Sequence, residues 1–200
     1  MKRDFEQVYQ FKVSIRHIKP VIWRRIQVPE TYTFWDLHVA IQDSFDWLDY
    51  HLHEFIIAKP KTGTKVRIIC YEDEFEGFSR KTLLGRIEKI SIFFSLKNST
   101  AEYNYDFGDN WQHALKLEKI LPRKEGVDYP VCLGGKRARP PEDCGGIGGY
   151  EDFLEIIRNP EHEEYEETIE WAGGRFDPEY FDIKKISFDD PEERWEYANS

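Results

Sequence analysis

The chain has 200 residues, of which 40% are hydrophobic, 16% aromatic and 33% charged, with a formal net charge of −10. Such a chain is too apolar and aromatic to be disordered, is neither collagen-like nor low in complexity, and has the length of one domain. It contains no run of eighteen apolar residues and no apolar secretory core near its start, and the three cysteines Cys70, Cys132 and Cys144 are too few for a disulfide scaffold, so the expectation is a cytoplasmic protein that does not span a membrane.

In chain order, Tyr9, Phe11, Val13 and Ile15 alternate with polar residues and predict a half-buried strand over 8–16. After the Lys19-Pro20 break, Ile22, Arg24, Ile26 and Val28 repeat the alternation, which predicts an antiparallel partner. Thr33 followed by Asp36 forms a capping-box variant. Phe34, Leu37, Ile41, Phe45 and Leu48 then recur at helical spacing and predict a helix over about 34–45. His51–Ala58 reads as a strand, Lys59–Gly63 as a turn and Lys65–Cys70 as the returning strand, with 71–86 a loop. Residues 87–94 fit a helix or a strand, with helix preferred. Ala101–Phe107 and Gln112–Ile120 are strands around a Gly108-Asp109-Asn110 turn. Residues 121–149 are rich in proline and glycine and read as a long irregular crossover. Helices follow over 150–158, expected to bury Phe153, Leu154 and Ile157, over 162–172, expected to bury Tyr165, Ile169 and Ala172, and near 191–198.

The charge is unevenly spread. Residues 1–120 carry a net +1 and residues 121–200 a net −11. An acidic third repels a phosphate backbone, so direct DNA binding is disfavoured. It serves either as a solubilising face or as a docking surface for a basic partner.

Four strings are dense in chemically able side chains. Trp23-Arg24-Arg25 offers guanidiniums that can hold an anion or form surface ion pairs and cation–π contacts. Trp47 precedes His51-Leu52-His53, whose two imidazoles would share a face of a strand. Tyr103–His113 places Asp106, Asp109, Trp111 and His113 about one tight turn, with Asp106 expected to be buried beside His113 or an arginine. Cys132 and Cys144 flank a Gly/Pro-rich stretch, and together with His51 and His53 they would make a Cys2His2 zinc site if the fold brought them together. The glycines before Tyr150 could form an anion nest, although no Walker lysine follows them. Trp23, Arg24, Arg25, Trp47, Asp106, Asp109, Trp111 and His113 are therefore the candidate pocket, and His51, His53, Cys132 and Cys144 the candidate metal ligands.

The strings FKVSIRHIKPVIWRRIQVP, TFWDLHVAIQDSFDWLDYHLHEF, YNYDFGDNWQHALKLEKI and CLGGKRARPPEDCGGIGGYEDFL, extended by FDPEYFD, together resemble the plasmid pRiA4b ORF-3-like family over about residues 5–183. The resemblance implies an accessory protein of plasmids, insertion elements and chromosomes with no established activity. Some members are labelled resolvases. Serine recombinases need an arginine to activate the nucleophile and a basic helix-turn-helix. Here Lys12 precedes Ser14 and the C-terminal third is acidic, so resolvase activity is not expected. Arg139 stands where many relatives carry a cysteine, which argues against a three-cysteine site.

The expectation is one α+β domain over 1–200: a mostly antiparallel sheet from the first 120 residues, a crossover over 121–149 and an acidic helical part over 150–200, with a helix near 33–47 and the C-terminal helices covering the sheet. The expected function is that of a non-enzymatic accessory or interaction protein with a protein or small-molecule partner. The alternative is a small-molecule-binding or metal-dependent enzyme with its site near Asp106, Asp109, His113, His51 and His53.

Overall fold

The computed structural model describes residues 4–70 and 82–198. Its frame is an eight-stranded sheet: β1 (Gln7–Ile15), β2 (Trp23–Pro29), β3 (His53–Ala58), β4 (Lys65–Ile69), β5 (Thr82–Leu84), β6 (Thr100–Tyr105), β7 (Trp111–Pro122) and β8 (Val131–Lys136). The spatial order is β5-β4-β3-β6-β7-β1-β2-β8, and every pairing is antiparallel except β4 with β5. The helices are α1 (Phe34–Phe45), α2 (Ile90–Phe93), α3 (Gly146–Arg158), α4 (Tyr165–Trp171) and α5 (Pro191–Ala198). This is the α+β architecture expected from the strand-rich first part of the chain.

Alternation sorts the two faces. Tyr9, Phe11, Val13, Ile15, Arg24, Ile26, Phe55, Tyr103, Tyr105, Trp111, His113 and Leu115 lie on the buried face. The other face carries a polar lattice in which Arg25 donates to Glu118 at 2.7 and 2.9 Å, Gln10 bridges Glu118 and Gln27, and Arg16 and Lys65 hold Glu102. An antiparallel sheet with one dry and one wet face needs this pattern.

The helix α1 lies within the core with almost every residue buried. Thr33 and Asp36 close a reciprocal capping box. Asp46 ends the helix in the left-handed region, with φ 67°. Leu48, counted on the stripe by spacing, lies beyond this stop and is half exposed.

Other expectations need correction. The crossover over 121–149 contains β8, an edge strand whose Gly134 and Gly135 hide its β character from sequence reading. Phe181 fills the space beside Gly135, where a Cβ would stand 2.7 Å from its ring. The loop assigned to 71–86 contains β5, three residues docked in parallel on β4, while 71–81 lie outside the described residues. The helix α4 buries no residue fully: Tyr165, Ile169 and Ala172 are half-buried. The glycines before Tyr150 start α3 rather than forming a separate nest. Among the described residues, no helix is long and apolar enough to cross a membrane.

Candidate functional site

Three loops converge at the end of the sheet where β3, β6 and β7 meet. The first, 46–52, leaves α1 through Asp46 and turns again at Asp49 (φ 58°). Trp47 anchors it, packing on Tyr105 and Trp111 at 5.4 and 5.8 Å between ring centroids. The Tyr50 N–H donates to the Tyr105 hydroxyl. The second loop is the 106–110 turn, tied to the first by the Asp106 N–H donating to the Leu52 carbonyl at 2.9 Å. The third, 139–146, is held by the Leu48 N–H donating to Glu142 at 2.7 Å and by the Gly145 N–H donating to Asp109 at 3.2 Å. Gly146 sits at φ +68°, with its Cα so close to Asp109 that a Cβ would meet the Asp109 carbonyl oxygen at 2.5 Å. Only glycine permits that approach.

At the centre His51 Nε2 lies 3.1 Å from Asp143 Oδ1 and 3.7 Å from Asp106 Oδ2. Asp106 is 5% exposed, with φ 56°. Its Oδ1 accepts from the N–H groups of Gly108 and Asp109 at 2.8 and 3.2 Å, which aims Oδ2 at the imidazole. Glu142 adjoins the group. Burial raises its pKa, partly offset by the Leu48 N–H, Arg139 and His51. Among the described residues, His51, Asp106 and Asp143 form the group whose possible metal-ligating atoms all lie within 4.8 Å of one another.

A buried cluster of polar side chains lies behind this corner. The His38 and His53 rings stack, His53 Nε2 lies 3.2 Å from the Cys70 sulfur, and His38 joins Tyr103 and Asp49, each at 2.8 Å. Asp49 can only accept, so His38 donates to it through Nε2, while the Tyr103 hydroxyl at its Nδ1 also accepts from Gln42 at 2.7 Å. His51, Asp49 and His53 also line an open cleft of about 1070 Å³ against Trp35 and α5.

The expected site residues divide accordingly. Asp106, Asp109, Trp47 and Trp111 belong to the corner. His113 does not: it is wholly buried against Phe45 and Tyr103, with Nδ1 3.0 Å from the Trp111 carbonyl oxygen, and burial lowers its pKa to about 4. The partner of Asp106 is thus His51, rather than His113 or an arginine. Trp23 and Arg25 lie on the wet face, where Lys12 and Arg25 cover the indole. Arg24 is not a surface residue. It is buried between Phe45 and Phe181, donates to the Ser44 carbonyl, and burial lowers its pKa to about 10. The four expected metal ligands are dispersed. β3 begins at His53, so His51 precedes the strand and the two imidazoles do not share a face. Cys132 lies on β8 beside Ile26, and Cys144 points at the Gly146 carbonyl with its thiol pKa raised by burial to about 12. Sequence reading missed Asp143, although it lies within the string CLGGKRARPPEDCGGIGGYEDFL.

A mostly antiparallel sheet packed on α1, with three loops gathered at one end, defines a class of α+β protein. The chain belongs to the plasmid pRiA4b ORF-3-like family, which it matches over residues 7–185. It is 32% identical over 169 residues to the uncharacterized protein y4hQ of Sinorhizobium fredii (strain NBRC 101917 / NGR234), covering 83% of this chain and 81% of that one. It is 56% identical to MM3350 from Methanosarcina mazei Go1, a protein of unknown function whose crystal structure superposes with a TM-score of 0.86 over 92% of this chain and all of that one.

Proposed function

We propose that this protein is a cytoplasmic, non-enzymatic accessory module, of the kind carried by plasmids and other mobile elements, that binds a small organic cation in the cleft between the 47–53 segment and α5. We take residues 1–200 as one domain. The supporting observation is the imbalance of charge in the cleft. Asp49, Asp189, Asp190 and Glu193 line it with the guanidinium of Arg194, which Asp43, Asp49 and Asp189 already hold. An added cation would meet uncompensated carboxylates there. Trp35 forms the wall, fixed by its indole N–H donating to the Pro191 carbonyl at 2.8 Å and by the edge of Trp195. Tyr50 and Tyr197, 72% and 85% exposed, stand at the mouth of the cleft, where aromatic side chains suit an ammonium or guanidinium group.

The test is calorimetry with spermidine and agmatine as probes. Binding should weaken with salt, and at least about fivefold in Glu193→Gln combined with Tyr197→Ala, a change of about 1 kcal/mol. Absence of binding at millimolar probe, or equal binding by the double variant, overturns the reading. A second reading, docking of a basic protein segment, draws on the −11 charge of residues 121–200.

A further inference from the structure

We propose that His51, Asp106 and Asp143 form a binding site for a divalent first-row metal ion of the Zn2+ or Mn2+ type, beside the cleft that His51 also lines. Donor atoms about 2.1 Å from a tetrahedral ion stand about 3.4 Å from one another. The two His51–carboxylate separations, 3.1 and 3.7 Å, bracket that value, and the three donor atoms all fall within 4.8 Å of one another. An ion between them needs only small side-chain adjustments.

Two features distinguish this group from a chance ion pair. His51 Nε2 is buried yet forms no hydrogen bond, despite the two nearby carboxylates. A polar atom removed from water without a partner is destabilising, and coordination by a lone pair would satisfy it. Asp106 is also oriented in advance, as two backbone N–H groups hold one carboxylate oxygen and leave the other facing the imidazole. Holding a ligand from its far side is the usual work of outer-shell hydrogen bonds at metal centres.

The donor set selects the ion. One imidazole and two carboxylates favour zinc, manganese or iron over calcium and magnesium, which prefer all-oxygen shells. Asp106 is deeply buried, whereas the Asp143 side chain is 67% exposed, so the site opens to solvent on the Asp143 side. Three protein ligands with one open position would leave room for water or a ligand oxygen. The neighbouring Glu142 carboxyl is already engaged by the Leu48 N–H and the Tyr105 hydroxyl and acts as a support for the loop.

The experiment uses the whole chain, stripped with a chelator and titrated calorimetrically with Zn2+ and Mn2+ alone. One equivalent should bind to the wild type. His51→Gln and Asp143→Asn, both in loops outside the strands and helices, should each weaken binding at least about tenfold with unchanged circular dichroism. Cys132→Ser combined with Cys144→Ser should bind as the wild type does. Failure of the wild type to bind either ion below 100 μM, on the order of 5 kcal/mol, overturns the proposal. So does retention of affinity in both His51→Gln and Asp143→Asn, or its loss in the double cysteine variant. Organic-cation binding in the cleft is measured separately with metal-free protein, so either idea can fail alone.

Discussion

The imidazoles of His38 and His53 stack face to face, with centroids 3.4 Å apart and planes 7° from parallel. Both rings are buried, and Trp35 packs beside them at 5.1 and 6.2 Å. Two imidazolium rings cannot share that contact without repulsion. Burial first, and the neighbouring His38 second, hold the pKa of His53 well below its ordinary value.

His53 in this stack and His113 in the core make stability depend on pH in a defined window. The folded-state pKa values of His53 and His113 are both lowered, so the unfolded chain binds protons more readily than the folded one below about pH 6.5. Their stabilisation is complete above that value and is lost as pH falls toward the folded pKa, which for His113 is about 4. For His113 alone the full loss is on the order of 3 kcal/mol. Urea melts between pH 7.5 and 5 should show falling stability, and His113→Gln should flatten the slope. A flat wild-type profile would contradict the assignment.

Leu37 lies wholly buried on α1. Leu37→Ala should cost about 2–5 kcal/mol in denaturant melts, from lost transfer energy and the cavity left behind. Leu48→Ala, at a half-exposed position, should change stability by less than about 0.5 kcal/mol.

The capping box at the start of α1 should contribute measurably. Thr33→Ala removes the acceptor for the Asp36 N–H and should cost about 1 kcal/mol. Thr33→Ser should restore most of it.

Adjacent glycines on α3 should behave oppositely. A Cβ at Gly149 would collide with the Cys144 carbonyl oxygen, whereas one at Gly148 meets nothing within 4 Å. Gly149→Ala should lower the thermal midpoint sharply and unseat the 139–146 loop. Gly148→Ala should raise stability by about 0.5–1 kcal/mol through helix propensity.

Asp106→Asn separates bracing from binding. Its amide oxygen can still accept from Gly108 and Asp109, and asparagine tolerates the left-handed backbone found there. Thermal melts should therefore stay close to wild type while Zn2+ affinity falls at least about tenfold. A large loss of stability would mean that the charge itself holds the turn.

Within single elements, local chemistry decided the outcome. Thr33 and Asp36 announce α1, and period-two alternation assigned the buried faces of β1 and β2, because capping and side-chain direction depend on neighbours a few residues away. The family was legible for the same reason, since its strings are long and local. β8 and β5 were hidden: one carries paired glycines, the other is three residues long, and both rely on a neighbouring strand for their conformation. The corner site belongs to tertiary structure. Nothing in the spacing of His51 and His53 says that the strand starts between them, sending one imidazole to Asp106 and the other onto His38. Nor does it say that left-handed turns at Asp106 and Asp143, 37 residues apart in sequence, bring their carboxylates to one nitrogen. Such convergence is set by how the loops close over Trp47 and Tyr105, contacts that periodicity within one segment cannot encode.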